Sequence, residues 1–112
     1  MSAYEIQPGG ALTGEAQVPG DKSISHRSVL LGAIAEGTTE VRGFLEGEDT
    51  RATAAAMRAM GVTIEADGAG NMHIEGRGLR GLQAPAHALD LGNSGTGMRL
   101  LTGVLAGQAF AS

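Results

Sequence analysis

The sequence predicts an α/β fold, more closely α+β, built from a repeated β-α-β-α-β-β unit with about one and a half copies present. Three observations predict it. Short runs with β patterning alternate with runs of helical period. Glycine, 19 of 112 residues, separates apolar segments instead of pooling with serine, proline and charge, which marks tight turns and not a linker. Residues around one polar loop also recur at a constant offset: Ser23 as Ser94, Leu30 as Leu101, Gly32 as Gly103, Ala35 as Ala106. Chance agreement among abundant Leu, Ala and Gly is the competing account. If the repeat is real, the chain stops inside its second copy, and a fragment is expected.

Residues 4–6 and 12–18 read as strands split by Pro8-Gly9-Gly10. Residues 24–36 read as a helix with Ser23 as N-cap, closed by Gly37. Residues 39–45 return as a strand with Val41 inward. Asp49 caps a helix over 50–60, whose Ala52, Ala55, Ala56, Ala59 and Met60 form an apolar stripe. Arg51 and Arg58 fall on its solvated side. Residues 62–66 and 72–75 alternate in polarity around Asp67-Gly68-Ala69-Gly70-Asn71, a hairpin. After a loop over 76–86, Leu89-Asp90-Leu91 is a short strand. A third helix starts at Thr96 or Gly97 with Met98, Leu101 and Leu105 inward.

Composition removes several function classes. A net charge of -4 and only Tyr4, Phe44 and Phe110 as aromatics argue against nucleic acid as partner. No apolar run can span a membrane, and the N-terminus lacks a signal-peptide pattern. The sequence has no cysteine, which removes thiol chemistry and fits a reducing cytoplasm. His26, His73 and His87 are widely separated and read as non-ligands for metal.

Chemistry concentrates in two loops. Lys22, the only lysine, stands at a helix start with Ser23, Ser25 and, four residues after Ser23, Arg27 on the same face. Free backbone N–H groups and the positive helix end add to these charges, which together suit a phosphate or carboxylate. An ordinary capped helix after a Pro-Gly turn is the plainer account. It is not a P-loop, because Asp21 stands where glycine must precede the lysine. The second loop, Gly92-Asn93-Ser94-Gly95-Thr96-Gly97-Met98-Arg99, again opens a helix. Its glycines allow close backbone approach by a ligand, or simply room for packing. It is neither a nucleophile elbow nor a dinucleotide fingerprint.

Asp21-Lys22-Ser23-Ile24-Ser25-His26-Arg27 followed by the 91–99 segment resembles the 5-enolpyruvylshikimate-3-phosphate synthase family. Glu48-Asp49-Thr50 and Ala59-Met60-Gly61-Val62 add to the match, which runs over about residues 18–107. The resemblance implies the enolpyruvyl transferase fold, with two domains of three units each. Residues 1–18 would be strands of one domain. Residues 19–112 would be the first unit, and the start of the second, of an incomplete substrate-binding domain whose helix N-termini face the interdomain cleft.

It further implies transfer of the enolpyruvyl group from phosphoenolpyruvate to the 5-hydroxyl of shikimate 3-phosphate, without metal or organic cofactor. Residue by residue, it makes Lys22 catalytic and in contact with both substrates. Ser23 and Arg27 would hold shikimate 3-phosphate. Asn93 and Gly95 would lie on the phosphoenolpyruvate side. The missing arginines and acid–base carboxylates would come from elsewhere, and a complementary C-terminal fragment is one partner this reading admits. Two departures from the pattern are Leu100 for proline and Gly97 for alanine. Residues 43–49 resemble the sub-class tolerant of glyphosate, whereas Gly95, whose replacement by alanine is linked to tolerance, is retained. The two features point in opposite directions for that inhibitor. A non-catalytic anion-binding domain, or a structural module whose glycines serve packing alone, are the rival readings.

Overall fold

The computed structural model describes residues 2–112. Its elements are α1 (Lys22–Ile34), β1 (Glu36–Val41), α2 (Glu48–Ala59), β2 (Thr63–Ala66), β3 (Met72–Arg77) and α3 (Gly95–Ala106). The strands form one antiparallel sheet in the order β1-β3-β2. Thr39 and Ile64 both register with Ile74 on the central strand. Helices α1 and α2 lie against the sheet, and α3 packs on those two helices without touching it.

Burial of alternate β3 residues follows the pleat: Met72 and Ile74 point inward while His73 and Glu75 stay in water. Ile74, Val29, Ala33, Met57 and Met60 are fully buried at the centre. Gly32 lets α1 close on the sheet, since a Cβ there would stand 3.1 Å from Ile74 Cδ1. Phe44 lies beyond β1 yet is buried, its amide donating to the Gly70 carbonyl (3.0 Å) and so pinning it to the hairpin. The hairpin turn is ordered by Asp67, whose Oδ1 accepts from the Ala69 and Asn71 amides.

Several expectations are corrected. Residues 4–6 and 12–18 are not strands. They are exposed throughout, with Leu12 at 100% and Val18 at 78%, and make no backbone hydrogen bond to any other described residue. A strand needs a neighbour, and propensity alone supplies none. Leu89-Asp90-Leu91 is likewise no strand: Asp90 Oδ1 accepts from the Gly92 amide in a local turn, and only Leu91 of the three is buried. Helix α1 ends at Ile34, so Gly37 lies inside β1, and that strand stops at Val41. Val41 is only half-buried, although it packs against the core.

The buried stripe of α2 is rotated from the alanine pattern. It runs through Thr50, Thr53, Ala54, Ala56 and Met57, while Ala55 and Ala59 are exposed. Two buried threonines satisfy their hydroxyls, Thr50 on the Leu45 carbonyl and Thr53 on His26 of α1, which hydropathy cannot foresee. Arg58 bends back to donate to the Ile64 carbonyl (2.9 Å from Nη2) and is not purely solvated. On α3, Leu101 is buried and Leu105 half-buried, but Met98 is 58% exposed. No helix among the described residues is long and apolar enough to cross a membrane.

Because Ile74 touches both the sheet and α1, Ile74→Ala should lower unfolding free energy by about 2–5 kcal/mol. Thr63→Ala on the exposed face should change it by less than about 0.5 kcal/mol. Urea denaturation of both variants measures the difference.

Candidate functional site

Helix α1 starts two residues earlier than a Ser23 cap would place it. Asp21 is the N-cap, with Oδ2 accepting from the Ile24 amide at 2.8 Å. The Lys22 and Ser23 amides then have no helical partner. The Ser23 hydroxyl is freed from capping and sits half-buried. Gly47, not Asp49, is the N-cap of α2. Its amide donates to Thr50 Oγ1 (3.0 Å), and that hydroxyl donates to the Leu45 carbonyl (2.7 Å).

Asp49 is thereby free, and its Oδ2 meets Lys22 Nζ at 3.0 Å. The pair joins the first turns of α1 and α2. It is partly solvated, so it orients more than it stabilises. The shallow recess beside it is lined by Lys22, Leu45, Gly47, Glu48, Asp49 and Thr50.

Helix α3 is capped by Ser94, whose Oγ accepts from the Gly97 amide at 2.9 Å. The Gly95 and Thr96 amides are left open, as at α1. Gly92 has φ +59°, a left-handed conformation that reserves the position for glycine. Gly95 is different. Beyond its own helix turn, a Cβ there would meet only the Arg99 guanidinium, 2.6 Å from Nη1. Internal packing therefore does not require Gly95 to lack a side chain. Asn93 and Gly95 are both exposed.

The two loops belong to one end of the molecule, because α2 touches both. Thr53, fully buried one turn after Asp49, bonds His26 Nδ1 of α1 at 2.8 Å. A Cβ at Gly97 of α3 would stand 2.9 Å from the same Thr53 oxygen. Lys22, Ser23 and Arg27 thus share the first turns of α1, and Asn93 and Gly95 flank the start of α3. No hydrogen bond among the described residues joins the two sets directly. Arg27 and Arg99 are exposed and have no carboxylate within ion-pairing distance among the described residues. The end presents Lys22, two unpaired guanidiniums and open helix N-termini, a set of donors for anions.

The amino-acid pattern alone does not mark Asp49, His26, Thr53 or Arg99 as site residues. Asp49 reads there only as a cap. Thr53 lies outside the alanine stripe. Arg99 lies within the second motif without a partner to suggest its role. His73 and His87 stand exposed on β3 and in the 78–92 loop, away from buried His26.

With this geometry, comparison with known proteins is direct. A family model described as EPSP synthase (3-phosphoshikimate 1-carboxyvinyltransferase) matches residues 6–112. The 3-phosphoshikimate 1-carboxyvinyltransferase of Pelobacter propionicus is 64% identical over 112 residues, covering all of this chain and 26% of the relative. That of Methylococcus capsulatus is 66% identical over 107 residues, covering 96% and 24%. The solved EPSP synthase from Acinetobacter baumannii superposes with a TM-score of 0.82 at 62% identity, covering 87% of this chain and 22% of that one. Fold and loops together define an enolpyruvyl-transferase-type α/β unit. The chain belongs to the EPSP synthase family. It spans about a quarter of the length of the curated relatives it matches.

Burial holds the His26 imidazole below its ordinary pKa of 6.5, with Asp49 opposing the shift and Lys22 adding to it. The folded state therefore binds a proton at His26 less readily than the unfolded chain. Stability should be unaffected by His26 well above 6.5 and should fall with pH between 6.5 and the lowered value. Melting temperature measured from about pH 7 to about pH 5 should drop less in His26→Asn than in wild type. Equal slopes would show that His26 titrates alike in both states.

Proposed function

We propose that, within a full-length protein, this chain forms one wall of the site that joins phosphoenolpyruvate to the 5-hydroxyl of shikimate 3-phosphate and releases phosphate. The observation that carries the reading is Gly95. It is exposed, its Cβ position is free of backbone beyond its own helix turn, and it stands at an open helix N-terminus beside an unpaired arginine. A glycine not required by packing is accounted for by a ligand that approaches the backbone. This favours a substrate wall over a structural module.

The reaction follows from what the donors can offset. Both substrates are anionic and repel one another. Lys22, Ser23 and Arg27 on α1 hold the shikimate 3-phosphate side. The helix α3 start, with Asn93 and Gly95, takes phosphoenolpyruvate. Fixed charges and oriented amides stabilise the charge that develops as the hydroxyl attacks C2 and a proton reaches C3. The tetrahedral adduct then loses a proton from C3 as phosphate leaves C2, which restores the carbon–carbon double bond of the enolpyruvyl product. Lys22, held by Asp49 at 3.0 Å, bridges the two substrates and assists proton movement.

Residues 2–18, exposed and unpaired here, would find strand partners in a second domain in this reading. Residues 19–112 begin the substrate domain. The remaining arginines and carboxylates come from the rest of the protein or from a complementary fragment. The cysteine-free sequence supports the cytoplasm as its place. Glyphosate would compete on the Gly95 side.

Isothermal titration of the full-length protein with shikimate 3-phosphate, and phosphate release with both substrates, test the activity. Binding without turnover would leave the non-catalytic anion-binding domain. Lys22→Arg should lose nearly as much kcat/KM as Lys22→Ala, because a planar fork cannot replace a compact, titratable ammonium. Retention of most of kcat/KM would reduce Lys22 to a generic charge. Gly95→Ala should raise the phosphoenolpyruvate KM roughly tenfold and weaken glyphosate inhibition, with melting within about two degrees of wild type. A large loss of melting temperature with unchanged KM would return Gly95 to packing.

A further inference from the structure

We propose that Thr53 is a positioning residue that sets the gap between the two anion-binding loops, clamped by His26 from α1 on one side and by the bare Cα of Gly97 from α3 on the other. The inference rests on the assignment of the second loop to phosphoenolpyruvate.

Thr53 stands in an alanine-rich helix where alanine would favour the helix more. Its hydroxyl is fully buried and so needs partners. It shares a 2.8 Å hydrogen bond with His26 Nδ1, and the Asp49 carbonyl lies farther off at 3.4 Å. The other ring nitrogen, Nε2, is buried and has no hydrogen-bond partner among the described residues.

Each contact lies close behind a residue that faces the ligands. His26 is four residues after Lys22, Thr53 four after Asp49, and Gly97 two after Gly95. The third contact is set by size. A Cβ at Gly97 would stand 2.9 Å from Thr53 Oγ1 and 2.8 Å from Ser94 Oγ, closer than such atoms settle. Ser94 could rotate only by giving up the cap of α3. A methyl at Gly97 must therefore move the start of α3, carrying Gly95 and its amide away from α1. The shift is communicated through packed groups and not through contact with substrate. Gly97 thus serves the fold and Gly95 the ligand, two residues apart in one loop.

The test is a double-mutant cycle in the full-length protein carrying this sequence, using Gly97→Ala, Thr53→Ala, Thr53→Ser and the two combinations. The readouts are both KM values, kcat and melting temperature. Gly97→Ala should raise the phosphoenolpyruvate KM roughly tenfold and leave that for shikimate 3-phosphate within about twofold. Thr53→Ala should relieve part of that rise in the double variant. Thr53→Ser keeps the oxygen, should behave as wild type alone, and should give no relief. An equal rise in both KM values, a fall in kcat alone, or no relief from Thr53→Ala would overturn the proposal. Absence of turnover in the folded wild type would remove the functional reading instead. The same cycle read by melting would then decide the contact, with relief by Thr53→Ala but not Thr53→Ser supporting it and additive losses refuting it.

Discussion

The arrangement of this end of the molecule depends on one buried hydroxyl. Ser25 Oγ donates to the Asp21 carbonyl at 2.7 Å and accepts from the Leu45 amide at 2.9 Å. It therefore ties the first turn of α1 to the loop that leaves β1 and enters α2. With that loop fixed, the Leu45 carbonyl is in place for Thr50, and Gly47 caps α2. Asp49 then comes within reach of Lys22. Gly20 belongs to the same constraint: a side chain there would collide with the Gly43 carbonyl, so the chain enters α1 pressed against the loop. Small residues and hydroxyls, not large apolar groups, decide how the helix starts converge.

Much of this arrangement is legible in the amino-acid sequence. The three helices, the hairpin around Asp67–Asn71 and the two polar loops that open α1 and α3 follow from glycine spacing and periodicity. The departures share a cause: each depends on a neighbour that a local pattern does not contain. Residues 12–18 have strand propensity but no partner to hydrogen-bond. The alanine stripe of α2 misleads because Thr50 and Thr53 are buried with their hydroxyls satisfied, which a hydropathy pattern scores as solvent-facing. Ser23 and Asp49 are sound caps in isolation, but both helices start earlier than those caps would allow. Those small shifts free Ser23 and Asp49 from capping and leave Asp49 to pair with Lys22.

The glycines of the second loop show why a motif cannot be read as one property. Gly92 is set by its backbone angle, Gly97 by the threonine and serine beside it, and Gly95 by neither. From sequence the three are equivalent small residues. Only the positions of the neighbouring atoms separate a glycine that the fold needs from one that it merely permits.

The unpaired arm has a consequence for how the molecule is assembled. No backbone hydrogen bond of residues 2–18 has to form for the sheet and its helices to close, so the ordering of the arm is a separate event from the collapse of the core. Until that event, Tyr4, Ile6, Leu12 and Val18 remain in water on a backbone whose donors and acceptors are all uncommitted. Such a segment joins the first sheet edge that offers it a ladder. The identity of that edge, its own or a neighbouring molecule's, is a matter of local concentration: a tethered partner wins in dilute solution and a stranger in a crowded one.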